Sequence, residues 1–303
     1  MKKRKLFALL IILIIIIGIY FIYFRNLKNH EPVYQFKGDK FYYSLERGKI
    51  EYEMIFRSDN ISYEMYNISF YSRDFLQYKT KIYGILLMPK NKINFAGVVL
   101  LPGGGGTKEN EIGLATLIAN EGYAVLTIDQ RGIGETGGYY LSFQDDYKVF
   151  LQGGEPVQHL SVYDALASTD VLRNMKNIDK NKILIAGESM GGRYAIIAAA
   201  IDKRIKGVLA ISTSGFHVKS DSSNESNFYL SIDPDHYISD ISPNYVIMLY
   251  GRNDSMISLR DAQFTYNLAG EPKKFFIFDK CGHGYCKDMD DEIKRILQNQ
   301  KNS

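Results

Sequence analysis

The chain has 303 residues, of which 46% are hydrophobic, 23% charged and 13% aromatic, with seven prolines and no tryptophan. That balance excludes a disordered or collagen-like chain, and the length can bury a full α/β core without metal or disulfide staples. Lys and Arg total 37 against 34 acids, but residues 1–30 hold six of the bases (Lys2, Lys3, Arg4, Lys5, Arg25, Lys28) and no acid. The remainder, with 31 bases and 34 acids, is mildly acidic and offers no electrostatic footprint for nucleic acid.

Residues 1–5 are a short basic tail. The 19 residues of 6–24 carry no charge and are mostly Ile and Leu. As a helix rising about 1.5 Å per residue they reach roughly 28 Å, near the hydrocarbon thickness of a bilayer. A cleaved signal peptide has a shorter apolar stretch and a small-residue cleavage site, and the flank Arg25-Asn26-Leu27-Lys28 offers none. The expectation is an uncleaved transmembrane signal anchor at 6–24. Four basic residues precede it and two follow, so the positive-inside rule places the N-terminus in the cytoplasm and everything beyond the span outside it.

Residues 25–65 are polar and aromatic with little periodicity, and are expected to form a stalk or N-terminal decoration. From 66 to 303 strand and helix signals alternate. Strands are expected at 68–75, 80–88, 96–101, 123–129, 182–186, 207–212, 245–250 and 274–278. Several contain unbroken apolar runs, such as Val98-Val99-Leu100-Leu101 and Ile183-Leu184-Ile185, which suit strands buried on both faces. Helices are expected at 111–121, 158–175, 193–202, 259–268 and 287–298. The alternation predicts an α/β fold, with an eight-stranded, mostly parallel sheet covered by helices on both faces. The first two strands are separated by a few residues and predict an antiparallel entry hairpin. Residues 217–243 break the rhythm and form a candidate small lid.

The chemistry concentrates at Gly187-Glu188-Ser189-Met190-Gly191, a Gly-x-Ser-x-Gly turn between a strand and a helix. Such a turn pushes the serine hydroxyl out at the C-terminal end of the sheet, where ligands of open α/β sheets bind. Asp254 falls just past the strand at 245–250, and His283 just past that at 274–278. Five elements, including Pro102-Gly103-Gly104-Gly105-Gly106 after the third strand and Asp129-Gln130-Arg131-Gly132-Ile133-Gly134 after the fourth, stand in matching order. With them the chain from about residue 68 onward resembles the α/β-hydrolase superfamily, and is most similar to its dienelactone-hydrolase and prolyl-oligopeptidase-like branch of serine hydrolases.

The resemblance implies a triad of Ser189 as nucleophile, His283 as base and Asp254 as the acid that orients it. The backbone N–H groups of Met190 and Gly104 would form the oxyanion hole, with Gly103 and Gly105 as alternatives in that loop. Pro102 departs from the histidine common at its position among relatives. The competitors are His217 for the base and Asp279 for the acid. Gly132–Gly137 matches a dinucleotide fingerprint by spacing alone, since no helix is expected to open there. Cys281 and Cys286 bracket His283 and are either a disulfide or two thiols; a metal site there would need another ligand. No cofactor and no metal are expected. The expected function is a membrane-anchored hydrolase of a small-molecule carboxylic ester; a peptidase or amidase on the same triad and a non-catalytic binding protein are the alternatives.

Overall fold

The computed structural model describes residues 33–74, 79–90 and 94–301. The tail at 1–5 and the anchor expected at 6–24 lie outside the described residues. Among the described residues no helix is long and apolar enough to cross a membrane.

Strands β1 (Tyr34–Lys37) and β2 (Lys40–Tyr43) form a separate antiparallel hairpin. The remaining strands are β3 (Tyr52–Asp59), β4 (Tyr63–Arg73), β5 (Lys79–Pro89), β6 (Phe95–Leu101), β7 (Ala124–Ile128), β8 (Ile178–Glu188), β9 (Ile205–Ile211), β10 (Tyr245–Gly251) and β11 (Lys273–Phe278). They make one sheet in the order β11-β10-β9-β8-β6-β7-β5-β4-β3. From β7 through β11 every ladder is parallel, whereas β3-β4, β4-β5 and β5-β7 are antiparallel. The mostly parallel sheet and the entry hairpin (β4 and β5) are therefore present as expected. The helices are α1 (Ile112–Asn120), α2 (Phe143–Leu151), α3 (Val157–Arg173), α4 (Ser189–Ile201), α5 (Asn224–Ile232), α6 (Pro234–Tyr237), α7 (Leu259–Leu268) and α8 (Asp290–Lys301).

The apolar runs divide by parity between the two faces. Val99, Ile183 and Ile185 join the core under α3 and α4, with Leu166, Ala195 and Ile197. Val98, Leu100 and Leu184 join the opposite core under α1 and α8, with Leu114, Ile118 and Ile293. Successive side chains of a strand point to opposite faces, so a strand covered on both sides has no position left for a polar residue.

The sheet has nine strands where eight were expected, and the ninth, β3, comes from the segment expected as stalk. Its signal is weak because it is an edge strand. Met54, Ile55 and Phe56 are all exposed, so the apolar/polar alternation of a half-buried strand is missing. The boundary expected at 65/66 also falls inside β4, which spans both residues. Arg47 ties the same N-terminal segment to the domain. Its side chain is fully buried and donates to Asp170 Oδ2 at 2.6 Å and to Asp202 Oδ2 at 2.7 Å. The hairpin packs too: the Phe41 ring stacks 3.9 Å from that of His159.

Three further helices, α2, α5 and the four-residue α6, were not expected. In α2 the Ser142 hydroxyl caps the helix by accepting the Asp145 N–H, and Phe143, Tyr147 and Phe150 share one face at helical spacing. That face meets α5 and its neighbour: Phe143 lies against Phe216, and Tyr147 and Phe150 lie against Phe228. Residues 217–243, the candidate lid, thus carry α5 and α6 and pack on α2.

Candidate active site

Gly187 and Gly191 let strand β8 turn directly into helix α4. A Cβ on Gly187 would lie 2.4 Å from the Gly191 carbonyl, and one on Gly191 would lie 2.3 Å from the Leu101 carbonyl oxygen. The residue between them, Ser189, has φ +49°, in the left-handed region that an L-residue enters only at a cost of about 1–3 kcal/mol. The Thr213 hydroxyl braces this bend by donating to the Ser189 carbonyl at 2.6 Å. Ser189 is also the first residue of α4, whose early N–H groups have no partner within the helix.

Past β10 and β11, two loops are joined by backbone hydrogen bonds. The Asn253 N–H donates to the Cys281 carbonyl at 2.9 Å, and the Arg252 N–H to that of Phe278. Gly251 makes the contact possible, since a Cβ there would sit 2.2 Å from the Gly282 carbonyl oxygen. The result brings Asp254 and His283 together, with Asp254 Oδ2 2.8 Å from His283 Nδ1. The Asp254 side chain is fully buried, and its other oxygen accepts the N–H groups of Met256 and Ile257, each at 2.9 Å. His283 keeps 20% of its side chain exposed. Cys281 and Cys286 are joined as a disulfide across this loop.

The competitors are engaged elsewhere. Asp279 pairs with Arg252 at the surface. His217 has its own carboxylates, Asp235 at 2.6 Å and Asp261 at 3.4 Å, and lines a 490 Å³ cavity whose wall includes no serine, threonine or cysteine. His159 is wholly buried between Tyr34 and Ser231, and burial pushes its pKa down to about 3. His30 lies outside the described residues.

The glycine loop after β6 lies over the serine. A Cβ on Gly103 would be 3.7 Å from that of Ser189, and one on Gly104 would be 3.3 Å from the Met190 methyl. Gln130 shapes this loop, a role not legible in the sequence. It donates to the Pro102 carbonyl at 3.0 Å and accepts the Gly105 N–H at 2.9 Å. The Gly106 N–H goes to the Gly103 carbonyl. Gly105 and Gly106 commit their N–H groups inside the loop, whereas those of Gly103 and Gly104 have no such partner among the described residues. The Gly132–Gly134 turn is packed into the fold. A Cβ on Gly134 would lie 2.6 Å from the Asp129 carboxylate, which accepts the Glu135 and Lys108 N–H groups and pairs with Lys108 Nζ at 3.0 Å. Arg131, also buried, pairs with Asp164 at 2.6 Å.

The profile of the dienelactone hydrolase family matches residues 82–302, more than two thirds of the chain and every element just described. The chain belongs to the dienelactone hydrolase family. Among individual relatives, YtaP of Bacillus subtilis strain 168 is 35% identical over 85 residues, 28% of each chain. YfhR of Escherichia coli O157:H7 is 22% identical over 62% of this chain and 63% of its own. The chain therefore spans less than two thirds of the length of these relatives. Among solved structures, the acetyl xylan esterase from Paenibacillus sp. R4 superposes with a TM-score of 0.70 at 18% identity, over 84% of this chain and 90% of its own, which places the two on one fold.

Within this dienelactone hydrolase-family site, sequence reasoning also missed two acids. Glu188 ends β8, and Glu111 precedes α1. Glu111 is buried, Glu188 is half-buried, and their side chains interact. Burial first, and then the neighbouring Glu188 charge, pushes the Glu111 carboxyl up to about 9. The folded protein thus holds a proton that the unfolded chain releases near 4.5. The stability this group contributes is complete below about pH 4.5 and declines as pH rises toward 9. Glu111→Gln keeps a donor for Glu188 and removes that slope, by at most about 1.4 kcal/mol per pH unit. Melting curves of both proteins from pH 5 to 8 should therefore separate progressively in favour of the variant. A constant difference would contradict the shared proton.

Proposed function

We propose that the protein is a membrane-anchored serine hydrolase that cleaves a carboxylic ester of a small molecule through Ser189, His283 and Asp254. The observation that carries this is the His283–Asp254 pair, formed by the loops after β10 and β11 beside a left-handed serine at the end of β8. Ser189 Oγ attacks the ester carbonyl while His283 Nε2 takes its proton, because a free serine is a poor nucleophile near neutral pH. Asp254 holds the proton on Nδ1 and stabilises the imidazolium. The N–H groups of Met190 and Gly104 receive the negative charge on the carbonyl oxygen. His283 then returns its proton to the departing alcohol; a water molecule deprotonated by the same ring attacks the acyl-enzyme, and His283 gives that proton to Ser189 Oγ as the ester bond to serine breaks and the acid leaves.

An ester is favoured over an amide by the family and by the esterase fold neighbour. The apolar run at 6–24 would tether the enzyme, with the hydrolase domain on the extracytoplasmic side. A fluorophosphonate probe on the full-length protein tests the proposal, because it reports an activated serine without requiring the natural substrate. Wild type and His217→Ala should label and Ser189→Ala should not. Labelling that survives in Ser189→Ala would refute the assignment.

A further inference from the structure

Two carboxyl groups without a part in ester hydrolysis lie beneath the histidine loop. Glu188 immediately precedes Ser189; burial pushes its carboxyl up, and the Tyr285 backbone, the neighbouring His283 and the Glu111 side chain act to hold it down. A Cβ on Gly284 would stand 2.9 Å from Glu188 Oε2, so glycine at that position lets the turn after His283 rest directly on the carboxylate. Gly284 also has φ +87°, which suits the same residue type. The Tyr285 ring packs on α1, 3.9 Å from where Gly113 would carry a Cβ. Glu111 Oε2 is buried without a hydrogen-bond partner. Neighbouring Lys108 directs its ammonium to Glu109, Asp129 and Glu135.

We infer that Glu188 is a positioning residue for His283: its carboxylate, bound to the proton of Glu111, holds the turn at 282–285 in place and adds negative charge beside the imidazolium formed when Ser189 reacts. The inference rests on the triad proposed above. A single charge is the condition for this role. One negative group close to His283 favours its charged form, whereas two unscreened carboxylates in hydrogen-bond contact would repel and lift the turn. The titratable groups around the pair are His283 and Tyr285 on the loop, Asp254 behind His283, and Asp290, which accepts from the Tyr285 hydroxyl. Asp254 is bonded to His283 Nδ1, and Glu188 lies near enough to the same ring to interact with its charge.

The test is the pH profile of p-nitrophenyl acetate hydrolysis by the full-length protein, from pH 5 to 10.5, for wild type, Glu188→Gln and Glu111→Gln. Melting curves and far-UV circular dichroism confirm folding. In Glu188→Gln the acid limb of kcat/KM should move down by about one unit, because the histidine loses a favourable charge. Its kcat should fall roughly ten- to a hundredfold with little change in KM, as a displaced base reduces the rate without touching substrate binding. Wild type should lose activity as pH passes about 9, where Glu111 ionises, and Glu111→Gln should keep it. A folded Glu188→Gln with an unmoved acid limb overturns the inference. Should Glu188→Gln fail to fold, an alkaline loss that persists unchanged in Glu111→Gln overturns it instead. Ser189→Ala run in parallel separates the two claims. If it still hydrolyses the ester, the triad falls and this inference with it; if it is inactive while neither limb moves, only the inference falls.

Discussion

Asp254→Asn should lower kcat for ester hydrolysis by roughly 10⁴-fold while leaving the protein folded. The carboxylate has two distinct tasks. Oδ1 accepts two backbone N–H groups, from Met256 and Ile257, and Oδ2 faces His283 Nδ1. An asparagine must keep its oxygen on the two backbone donors, since turning its NH₂ toward them would set donor against donor. The NH₂ then points at Nδ1, which becomes the acceptor and forces the ring proton onto Nε2. A ring protonated at Nε2 cannot take the serine proton, so the base is lost although every atom stays in place. The backbone contacts retained through Oδ1 predict a melting temperature close to wild type. Steady-state hydrolysis of p-nitrophenyl acetate measures the effect. Asp279→Asn is the control, because among the described residues the Asp279 carboxylate pairs with Arg252 at the surface. A fall of less than tenfold in Asp254→Asn, or an equal fall in Asp279→Asn, would displace Asp254 from the triad.

The largest effect on stability is expected at Asp202. This buried carboxylate, just past α4, lies within ion-pair distance of Arg47 (2.7 Å), Arg204 (2.6 Å) and Arg173 (3.6 Å). Among the described residues, the other acid bound to the same three arginines is Asp170. Asp202→Asn would leave three guanidinium groups around one carboxylate, two of them well buried. Removing one partner from such a cluster costs about 3–5 kcal/mol, more than the pair contributes over an apolar substitute, because the remaining charges lose their compensation. For a domain of this size that corresponds to a fall in melting temperature of roughly 6–15 °C.

The arginines and the hydrogen bonds they donate hold the Asp202 carboxyl well below the usual carboxylate range, against the opposing effect of burial. A depressed pKa contributes stability above the unfolded value, near 4, and loses it as pH falls toward the folded one. The gap between wild type and variant should therefore be full at pH 7 and narrow below about pH 4. Thermal melts at both values check the size and the sign. Equal melting temperatures at pH 7 would show that the cluster contributes nothing net.

Legibility in the sequence followed the range of the interactions involved. The central strands could be recognised because strands buried on both faces exclude polar residues, as at Val98–Leu101 and Ile183–Ile185. The elbow could be recognised because Gly187 and Gly191 answer steric demands only a few residues apart. Asp254 and His283 could be placed because each follows its strand closely in a sheet whose parallel strands end at one side. In contrast, β3 was invisible: an edge strand is covered on one side only, and it shows three exposed apolar residues in succession where alternation was sought. Helix α2 was hidden by its brevity and by a partner, Phe228, that reaches it only through the path of the chain.

By itself the sequence determined the class of fold, the order of the parallel strands along the chain, and the nucleophile, base and acid to be tested. Periodicity and short steric motifs record constraints acting within a few residues, so they survive in a linear string. Only the tertiary structure decided that residues 33–65 belong to the domain, that Gln130 shapes the glycine loop, and that Glu111 and Glu188 meet beneath His283. Each of these is a contact across the chain, 155 residues apart for Arg47 and Asp202 and 28 for Gln130 and Pro102. Whether two polar groups so far apart in sequence share a proton or an ion pair depends on burial and geometry, which arise only when the sheet and its helices have closed around them.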